Sequence, residues 1–366
     1  MLYYISKLES VWGPLRLFNY LSFRCVLAAA TAFIVAFIAA PYAIRFFRAK
    51  KAFQIQRTAE IMGKTAQLHS WKEGTPCMGG VIIFAGVMIS SILWCKINAM
   101  VLAALAVYAI LTITGFADDY LKLLKGNSNG IKGRTKILWQ IVAASAAGAI
   151  LFTNPAYAHS MQELWVPFVK TCVWVMPMLV AVALLVLVIT SSSNALNLTD
   201  GLDGLATGCT VSVVLAYGIF AYVTGNQIAS NYLSLGYIPA CGELAVLCCA
   251  ILGSAMAFLW YNCYPAYIWM GDTGSLGLGG IIGVIAFMVH QPITLIIVGG
   301  VFVMEAMSVI IQTRYYKFTK GKRVFRKAPI HHHFEEGGWK ETQIVIRFWI
   351  LSLIFALAGL ATLKLR

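Results

Sequence analysis

Apolar residues occur in long runs that are separated by short polar stretches. A helix that crosses a membrane needs roughly 20 apolar residues. Ten segments approach that length: 23–44, 79–95, 99–116, 137–153, 172–190, 205–224, 242–260, 275–289, 293–312 and 343–363. The pattern predicts an all-α polytopic membrane protein with about ten transmembrane helices.

Composition supports this prediction. Of the 366 residues, 60% are hydrophobic and 11% are charged, whereas soluble domains carry about 25% charged residues. Residues 1–22 are aromatic and lightly charged, which favours an interfacial segment over a signal peptide. The nine cysteines show no paired spacing, which argues against a disulfide framework or a Cys-rich zinc site. We therefore expect a single integral membrane domain over 1–366.

The positive charges lie on one side of the predicted helices. With an even number of spans, both termini share one side, and the other side has five loops: 45–78, 117–136, 191–204, 261–274 and 313–342. These loops carry 20 of the 28 Lys and Arg residues, so the positive-inside rule predicts that they are cytoplasmic and that both termini are periplasmic. The net charge of +14 can attract anionic membrane lipids, which is the simpler explanation, or an anionic substrate. We expect no nucleic-acid partner.

All five aspartates fall in these same loops, at helix ends: Asp118, Asp119, Asp200, Asp203 and Asp272. Carboxylates among Lys and Arg are what a reaction with Mg²⁺ and a phosphate requires. The sequence therefore predicts one polar site at the cytoplasmic membrane boundary.

Asp118 and Asp119 end the third predicted span. Acids at a helix C-terminus oppose the macrodipole, so a merely solvated helix end is disfavoured. A prenyl-diphosphate DDxxD box is excluded because position 122 is Lys122.

Two further motifs carry polar residues at predicted helix ends. In "NALNLTDGLDGLA", Asn194, Asn197, Asp200 and Asp203 are three residues apart. If that stretch is helical, adjacent members share a face; helix capping is the plainer alternative. Asp272, among glycines before the eighth span, is either a helix N-cap or a ligand of Mg²⁺ beside a phosphate-binding N-terminus.

No P-loop is present, so a diphosphate must be held by side chains, a metal and helix N-termini. Three adjacent histidines in "APIHHHFEEGG", His331, His332 and His333, are poor ligands for Mg²⁺. Zinc needs converging ligands, and successive histidines diverge. Their imidazoles can donate hydrogen bonds to phosphate or sugar oxygens instead.

The motifs together resemble a known family. "TGFADDY", "NALNLTDGLDGLA", "NCYPAYIWMGDTGSLGLGG", "GVFVMEAMSVIIQ" and "APIHHHFEEGGW" are similar, in order and at the corresponding helix ends, to motifs of the phospho-N-acetylmuramoyl-pentapeptide-transferases of bacterial cell-wall synthesis. The resemblance implies a Mg²⁺-dependent enzyme of the bacterial cytoplasmic (inner) membrane. Its substrates would be UDP-N-acetylmuramoyl-pentapeptide and undecaprenyl phosphate, and its products lipid I and UMP.

The resemblance also implies roles for individual residues. Asp272 would bind Mg²⁺, and Asp118 would act as a base on the lipid phosphate with support from Asp119. The substrates would contact the following residues: Lys72, Thr75, Lys122, Lys136, Asn197, Asp200, Asp203, Asn262, Trp269, Ser275, Gln312, His331, His332 and His333.

Several alternatives stay open at this point. The chemistry is either a one-step attack by the lipid phosphate or a two-step route through an aspartyl intermediate. A sister transferase that uses UDP-N-acetylglucosamine and a secondary transporter are the rival functions. A transporter is disfavoured because its polar groups usually lie near the bilayer midplane, whereas the only midspan acid here is Glu305. The oligomeric state is open between a monomer and a homodimer.

Overall fold

The structure is a computed structural model that describes residues 2–10, 12–53, 74–126 and 130–365. Long helices account for most of the described chain. They are α1 (Leu21–Ala49), α2 (Gly80–Trp94), α3 (Ala99–Lys125), α4 (Gly133–Phe152), α5 (Met178–Thr199), α6 (Leu205–Thr224), α7 (Gly242–Asn262), α8 (Gly271–Met288), α9 (Gly300–Phe318) and α10 (Glu341–Ala361).

Shorter elements connect the long helices. The 3-10 helices are Leu2–Leu8, Gly13–Asn19, Ser160–Gln162 and Pro239–Cys241, and the short α-helices are Pro155–Ala158, Gln227–Tyr232, Leu295–Val298 and Ile330–Glu336. We call Ile330–Glu336 the histidine helix. Two short antiparallel strands, β1 (Glu163–Leu164) and β2 (Trp174–Val175), form a hairpin before α5.

The predicted fold class is confirmed, with differences at particular helices. Within the described residues, eight helices are long and apolar enough to cross a membrane. The exceptions among the ten predicted segments are 79–95, which forms the shorter α2, and 293–312, which is divided. A short helix ends before Gly299 in that segment, and α9 begins after it and continues to Phe318.

The fifth helix is shifted relative to its predicted segment. The prediction placed it over 172–190, but the first residues of that segment belong to the hairpin, and α5 runs from Met178 to Thr199. α3 likewise continues beyond 116 to Lys125. Several polar residues that we predicted in loops therefore lie on the last turns of helices.

α8 is the most enclosed of the long apolar helices in the described chain, with 89% of its apolar window buried. It packs against α3 and α5 and also contacts α2. Its glycines permit this, because a Cβ atom at Gly277 would overlap Thr112 of α3 and one at Gly279 would lie 2.5 Å from the Ser192 carbonyl oxygen of α5. The glycine-rich sequence thus brings neighbouring backbones close to α8, and the first turn of α8 becomes the meeting point of several helix ends.

Candidate active site

The carboxyl-terminal turns of α3 hold the first part of the site. Asp118 is fully buried, and its Oδ1 accepts a hydrogen bond of 2.6 Å from the backbone N–H of Ile131. Lys122 lies one turn further along the same helix, with its Nζ 2.6 Å from Asp118 Oδ2. This is the i,i+4 spacing at which oppositely charged side chains meet on a helix. α3 therefore presents a carboxylate and an ammonium group together.

Asp272 lies in the first turn of α8 and faces the same two groups. Its Oδ2 is 3.0 Å from Lys122 Nζ and 2.6 Å from Lys136 Nζ. Lys136, from the first turn of α4, also approaches Asp118 Oδ2 at 3.0 Å. Two lysines thus bridge two carboxylates that come from different helices, and the fold brings together acids and bases from the ends of three helices.

Asp119 has a different role from its neighbour. Its carboxylate accepts hydrogen bonds from the backbone N–H groups of Asp272 at 3.2 Å and Thr273 at 2.9 Å, and from the Thr273 hydroxyl at 2.7 Å. These N–H groups belong to the first turn of a helix, where they lack partners inside the helix. Asp119 therefore caps α8 from α3 and holds the turn that carries Asp272.

Asn197 connects α5 to the same turn. Its Nδ2 donates to Asp272 Oδ1 and to Ser275 Oγ, both at 2.8 Å. Ser275 Oγ in turn donates to the carbonyl of Gly271 at 3.0 Å. Asn197 reaches this turn because α5 continues past 190 to Thr199, and the contact of Asn197 and Ser275 with a substrate stays a prediction.

The carboxylates form a group that fits a divalent cation. Among the described residues, one group of potential ligands has its atoms within 4.8 Å of one another: Asp118, Asp119 and Asp272. Carboxylate oxygens are the ligands that Mg²⁺ prefers. Asp118 and Asp272 fit best, because both oxygens of Asp119 are engaged by the first turn of α8.

Asp200 lies directly after α5 and next to this group. Burial, and then the nearby charges of Asp272 and Asp119, raise the pKa of the Asp200 carboxyl to about 8. The backbone N–H of Gly271 donates a hydrogen bond to it. A raised pKa favours the protonated carboxyl, which can donate a hydrogen bond as well as accept one.

Asp203 turns away from the cluster. α5 ends at Thr199, so the expectation that the four polar residues from Asn194 to Asp203 share one helical face holds only for the part inside the helix. Asp203 is buried, and its carboxylate accepts from the Ala266 N–H at 3.1 Å and from Trp269 Nε1 at 3.0 Å. It ties the loop after α5 to the loop before α8.

Asn262 and Gln312 also hold backbone segments. Asn262 donates to the Ile268 carbonyl and accepts from the Thr207 hydroxyl. Gln312 bonds the backbone of Val324 and Phe325 with both of its side-chain ends. The hydrogen bonds of both side chains go to other groups of the protein. Their contact with a substrate stays a prediction.

Thr75 is the one of the two predicted residues ahead of α2 that the structure describes. Lys72 lies outside the described residues. Thr75 precedes Pro76, whose carbonyl accepts a 2.9 Å hydrogen bond from the Trp269 N–H. The segment before α2 is therefore joined to the loop that leads to Asp272.

The three histidines lie in and beside one short helix, but each has its own partner. His331 Nδ1 is 3.0 Å from Glu305 Oε2, and His332 Nδ1 is 2.9 Å from Glu335 Oε2. His333 Nδ1 accepts from the Arg326 N–H at 3.1 Å. The rings of His331 and His332 lie 4.2 Å apart, and each is oriented by a different carboxylate.

Sequence reasoning missed three residues of this region. Glu305 was noted only as a midspan acid, and its pairing with His331 had no local sequence signal. Thr273 adds a hydroxyl to the cap made by Asp119. Gln140, buried one turn beyond Lys136, donates to Ser193 and accepts from Asn194; a polar residue within an apolar run was the signal that could have identified it.

Comparison with known proteins agrees with this geometry. The sequence pattern of glycosyl transferase family 4 matches residues 101–290, and signature 1 of phospho-N-acetylmuramoyl-pentapeptide-transferase matches residues 72–84. Curated proteins with that name are similar over the full length of both chains: 50% identical in Opitutus terrae, 44% in Citrifermentans bemidjiense and 42% in Methylacidiphilum infernorum. The chain belongs to the phospho-N-acetylmuramoyl-pentapeptide-transferase family. The family 4 match spans α3 to α8 and so includes all three carboxylates of the cluster, and the transferase signature covers the start of α2.

The role of Asp203 in this transferase fold can be tested by mutation. We expect Asp203→Ala to destabilise the protein, because it leaves the backbone N–H of Ala266 and the indole N–H of Trp269 without an acceptor. The cost is about 1–3 kcal/mol for the buried group, that of Ala266. Thermal unfolding in detergent measures the effect. Trp269→Phe is the matched control, since it removes one donor and leaves the Ala266 bond intact. A melting temperature for Asp203→Ala equal to that of the wild type would contradict this role.

Proposed function

We propose that this protein transfers phospho-N-acetylmuramoyl-pentapeptide from its UDP conjugate to undecaprenyl phosphate, with release of UMP and formation of lipid I. The proposed location is the bacterial cytoplasmic membrane. The observation that carries the proposal is the cluster of Asp118, Asp272, Lys122 and Lys136 at the ends of long apolar helices. The relatives named above support the identity of the substrates.

The charges of the cluster suit a diphosphate and a metal. Lys122 and Lys136 supply two ammonium groups for phosphate oxygens, while Asp272 supplies the carboxylate that would hold Mg²⁺. When bound, Mg²⁺ would neutralise charge on the diphosphate. The ammonium groups now lie against the carboxylates, at 2.6 to 3.0 Å. A metal at the carboxylates would therefore leave the lysines available to the phosphates.

Asp118 and Asp119 have different roles in the proposed reaction. Asp119 is engaged in capping α8, so we assign proton removal to Asp118. In the one-step route, an oxygen of the lipid phosphate attacks the phosphorus next to the sugar, the bond from that phosphorus to UMP breaks, and Asp118 takes any proton still on the lipid phosphate. Trapping a sugar-phosphate adduct on Asp118 would instead support the two-step route.

Release of UMP tests the proposal directly. Purified protein in detergent, with undecaprenyl phosphate and Mg²⁺, is expected to release UMP from UDP-N-acetylmuramoyl-pentapeptide and not from UDP-N-acetylglucosamine. Omission of the lipid phosphate is the control, and it should stop the release. Turnover with the acetylglucosamine donor alone would identify a sister transferase. Transport of a solute with no UMP release from either donor would reject an enzymatic role.

A further inference from the structure

Glu305 is an acid in an unusual position. It lies in α9, early in the helix, and its side chain is completely buried. An ionisable residue in an apolar helix of a membrane protein is costly, and it persists mainly where it has a partner and a function. None of the contacts that form the carboxylate–lysine cluster involves Glu305. The presence of a buried acid in α9 therefore needs a separate explanation.

The partner of Glu305 is His331, which is 1% exposed. Glu305 Oε2 lies 3.0 Å from His331 Nδ1. A carboxylate accepts hydrogen bonds, so the proton of the pair lies on Nδ1 and the ring orientation is fixed by this contact. Carboxylates set the tautomer of functional histidines in the same way in other proteins.

The other ring nitrogen has no partner in the described part of the chain. His331 Nε2 is buried and makes no hydrogen bond, and the same is true of Glu305 Oε1. Such atoms are rare in folded proteins, and each one calls for an explanation such as a missing ligand. Nε2 faces the backbone of Gly201, where a Cβ atom would overlap the ring.

Gly201 connects this nitrogen to the candidate active site. It directly follows Asp200, which accepts a hydrogen bond from Gly271, the residue before Asp272. The absence of a side chain at 201 leaves the ring in contact with the loop that borders the cluster. His331 Nε2, on the histidine helix, therefore faces the loop residue that follows Asp200.

The groups packed around His331 come from several elements. Burial lowers the pKa of the neighbouring His332 to about 4. Its ring centroid is 4.2 Å from that of His331. The other ionisable groups nearby are Glu305 on α9, Glu335 on the histidine helix, Lys327 before it and Asp200 after α5. Only Glu305 bonds His331 directly among the contacts described here.

We propose that Glu305 is a positioning residue, whose carboxylate holds the His331 ring through Nδ1–H so that an Nε2–H can donate to a phosphate oxygen of the nucleotide-linked substrate. This proposal rests on the proposed function, since it names the group that His331 contacts in that reaction. Negative charge increases on the UMP phosphate as its bond to the transferred phosphorus breaks. A donor held in place before the reaction stabilises that charge more strongly in the transition state than in the ground state. Loss of Glu305 should therefore lower kcat more than it raises KM.

Glu305→Gln tests the charge of the pair. The glutamine oxygen can still accept the Nδ1–H bond, but the negative charge beside the ring is gone. We expect kcat for UMP release to fall about 10²-fold, the loss typical of one transition-state donor, with KM for the UDP-linked donor nearly unchanged. Ser308→Ala is the matched control, because its buried hydroxyl donates to the Glu305 carbonyl one turn away, and we expect it to keep wild-type kcat.

His331→Asn separates the two ring nitrogens. The asparagine amide can still donate to Glu305 but has no atom at the Nε2 position, so we expect the same loss of kcat as for Glu305→Gln. The double variant Glu305→Gln, His331→Asn should lose no more than His331→Asn alone, because Glu305 acts through His331. Multiplying losses in the double variant, or wild-type kcat in His331→Asn, would overturn the proposal. If Glu305→Gln does not fold, His331→Asn still decides it, and absence of UMP release by the wild type would instead reject the proposed function.

Discussion

Replacing Asp272 by asparagine should lower kcat for UMP release by about 10³-fold, the upper range for loss of one electrostatic contact in an active site. Asp272 is the point at which Lys122 Nζ, Lys136 Nζ and Asn197 Nδ2 meet, at 3.0, 2.6 and 2.8 Å. The asparagine removes the charge that balances two lysines and a ligand for a hard cation. A titration of activity against Mg²⁺ concentration, at saturating donor and lipid, measures both effects.

Glu243→Gln is a useful control for that experiment. Glu243 is another carboxylate in a partly buried ion pair, with Oε2 2.6 Å from Arg24 Nη1. It lies in the first turn of α7, at the opposite end of that helix from Asn262. We expect Glu243→Gln to change thermal stability without changing the Mg²⁺ requirement. Wild-type turnover and an unaltered Mg²⁺ titration in Asp272→Asn would remove Asp272 from the proposed metal site.

Asp118→Asn and Asp119→Asn should differ although the residues are adjacent. Asp118→Asn keeps an acceptor for the Ile131 N–H but loses the charge that faces two lysines, so we expect kcat to fall about 10²-fold or more with little change in melting temperature. Asp119→Asn replaces one of the two oxygens that cap α8 by an amide nitrogen that cannot accept. We expect it to unfold at a lower temperature, with a loss of about 1 kcal/mol, as for other helix caps.

Comparing the two variants decides which aspartate acts in the reaction and which one stabilises α8. Both variants are measured in the same detergent for kcat and for thermal unfolding. A larger loss of kcat in Asp119→Asn than in Asp118→Asn, with equal melting temperatures, would exchange the roles that we assign to them. Equal losses of kcat and of stability would mean that the two residues act as one structural unit.

The sequence predicts that acids and bases gather at helix ends because the pattern that indicates this lies within short stretches of the chain. Asp118 and Lys122 are one helical turn apart, and Asp272 lies where a glycine-rich apolar run begins. The hydropathy pattern places these helix ends on one side of the membrane, so their convergence follows from the order of the spans. Lys136 lies in a loop predicted on the same side, but the charge pattern does not specify its contact with Asp118 and Asp272.

Other parts of the site depend on contacts that the sequence does not reveal. The end of α5 at Thr199 separates Asp203 from Asn197, and a three-residue spacing alone cannot locate that end. The cap on α8 requires α3 to continue to Lys125, although its apolar run stops earlier. Glu305 and His331 are 26 residues apart along the chain, and no periodic pattern connects them. Tertiary packing determines all three features.

The glycines of α8 have a consequence for substitutions far from the chemistry. Gly279 is seven residues along α8 from Asp272, a distance of about 10 Å at the helical rise. One methyl group there would press on the backbone of α5 at Ser192 and Ser193, and a helix enclosed on nearly all sides can relieve that pressure only by sliding or tilting as a unit. Either motion would move the carboxylate of Asp272 away from both lysines. Distance from the carboxylates is therefore a poor guide to which positions tolerate substitution as sequences diverge. The inner surface of α8 should accept less variation than many residues much closer to the substrates.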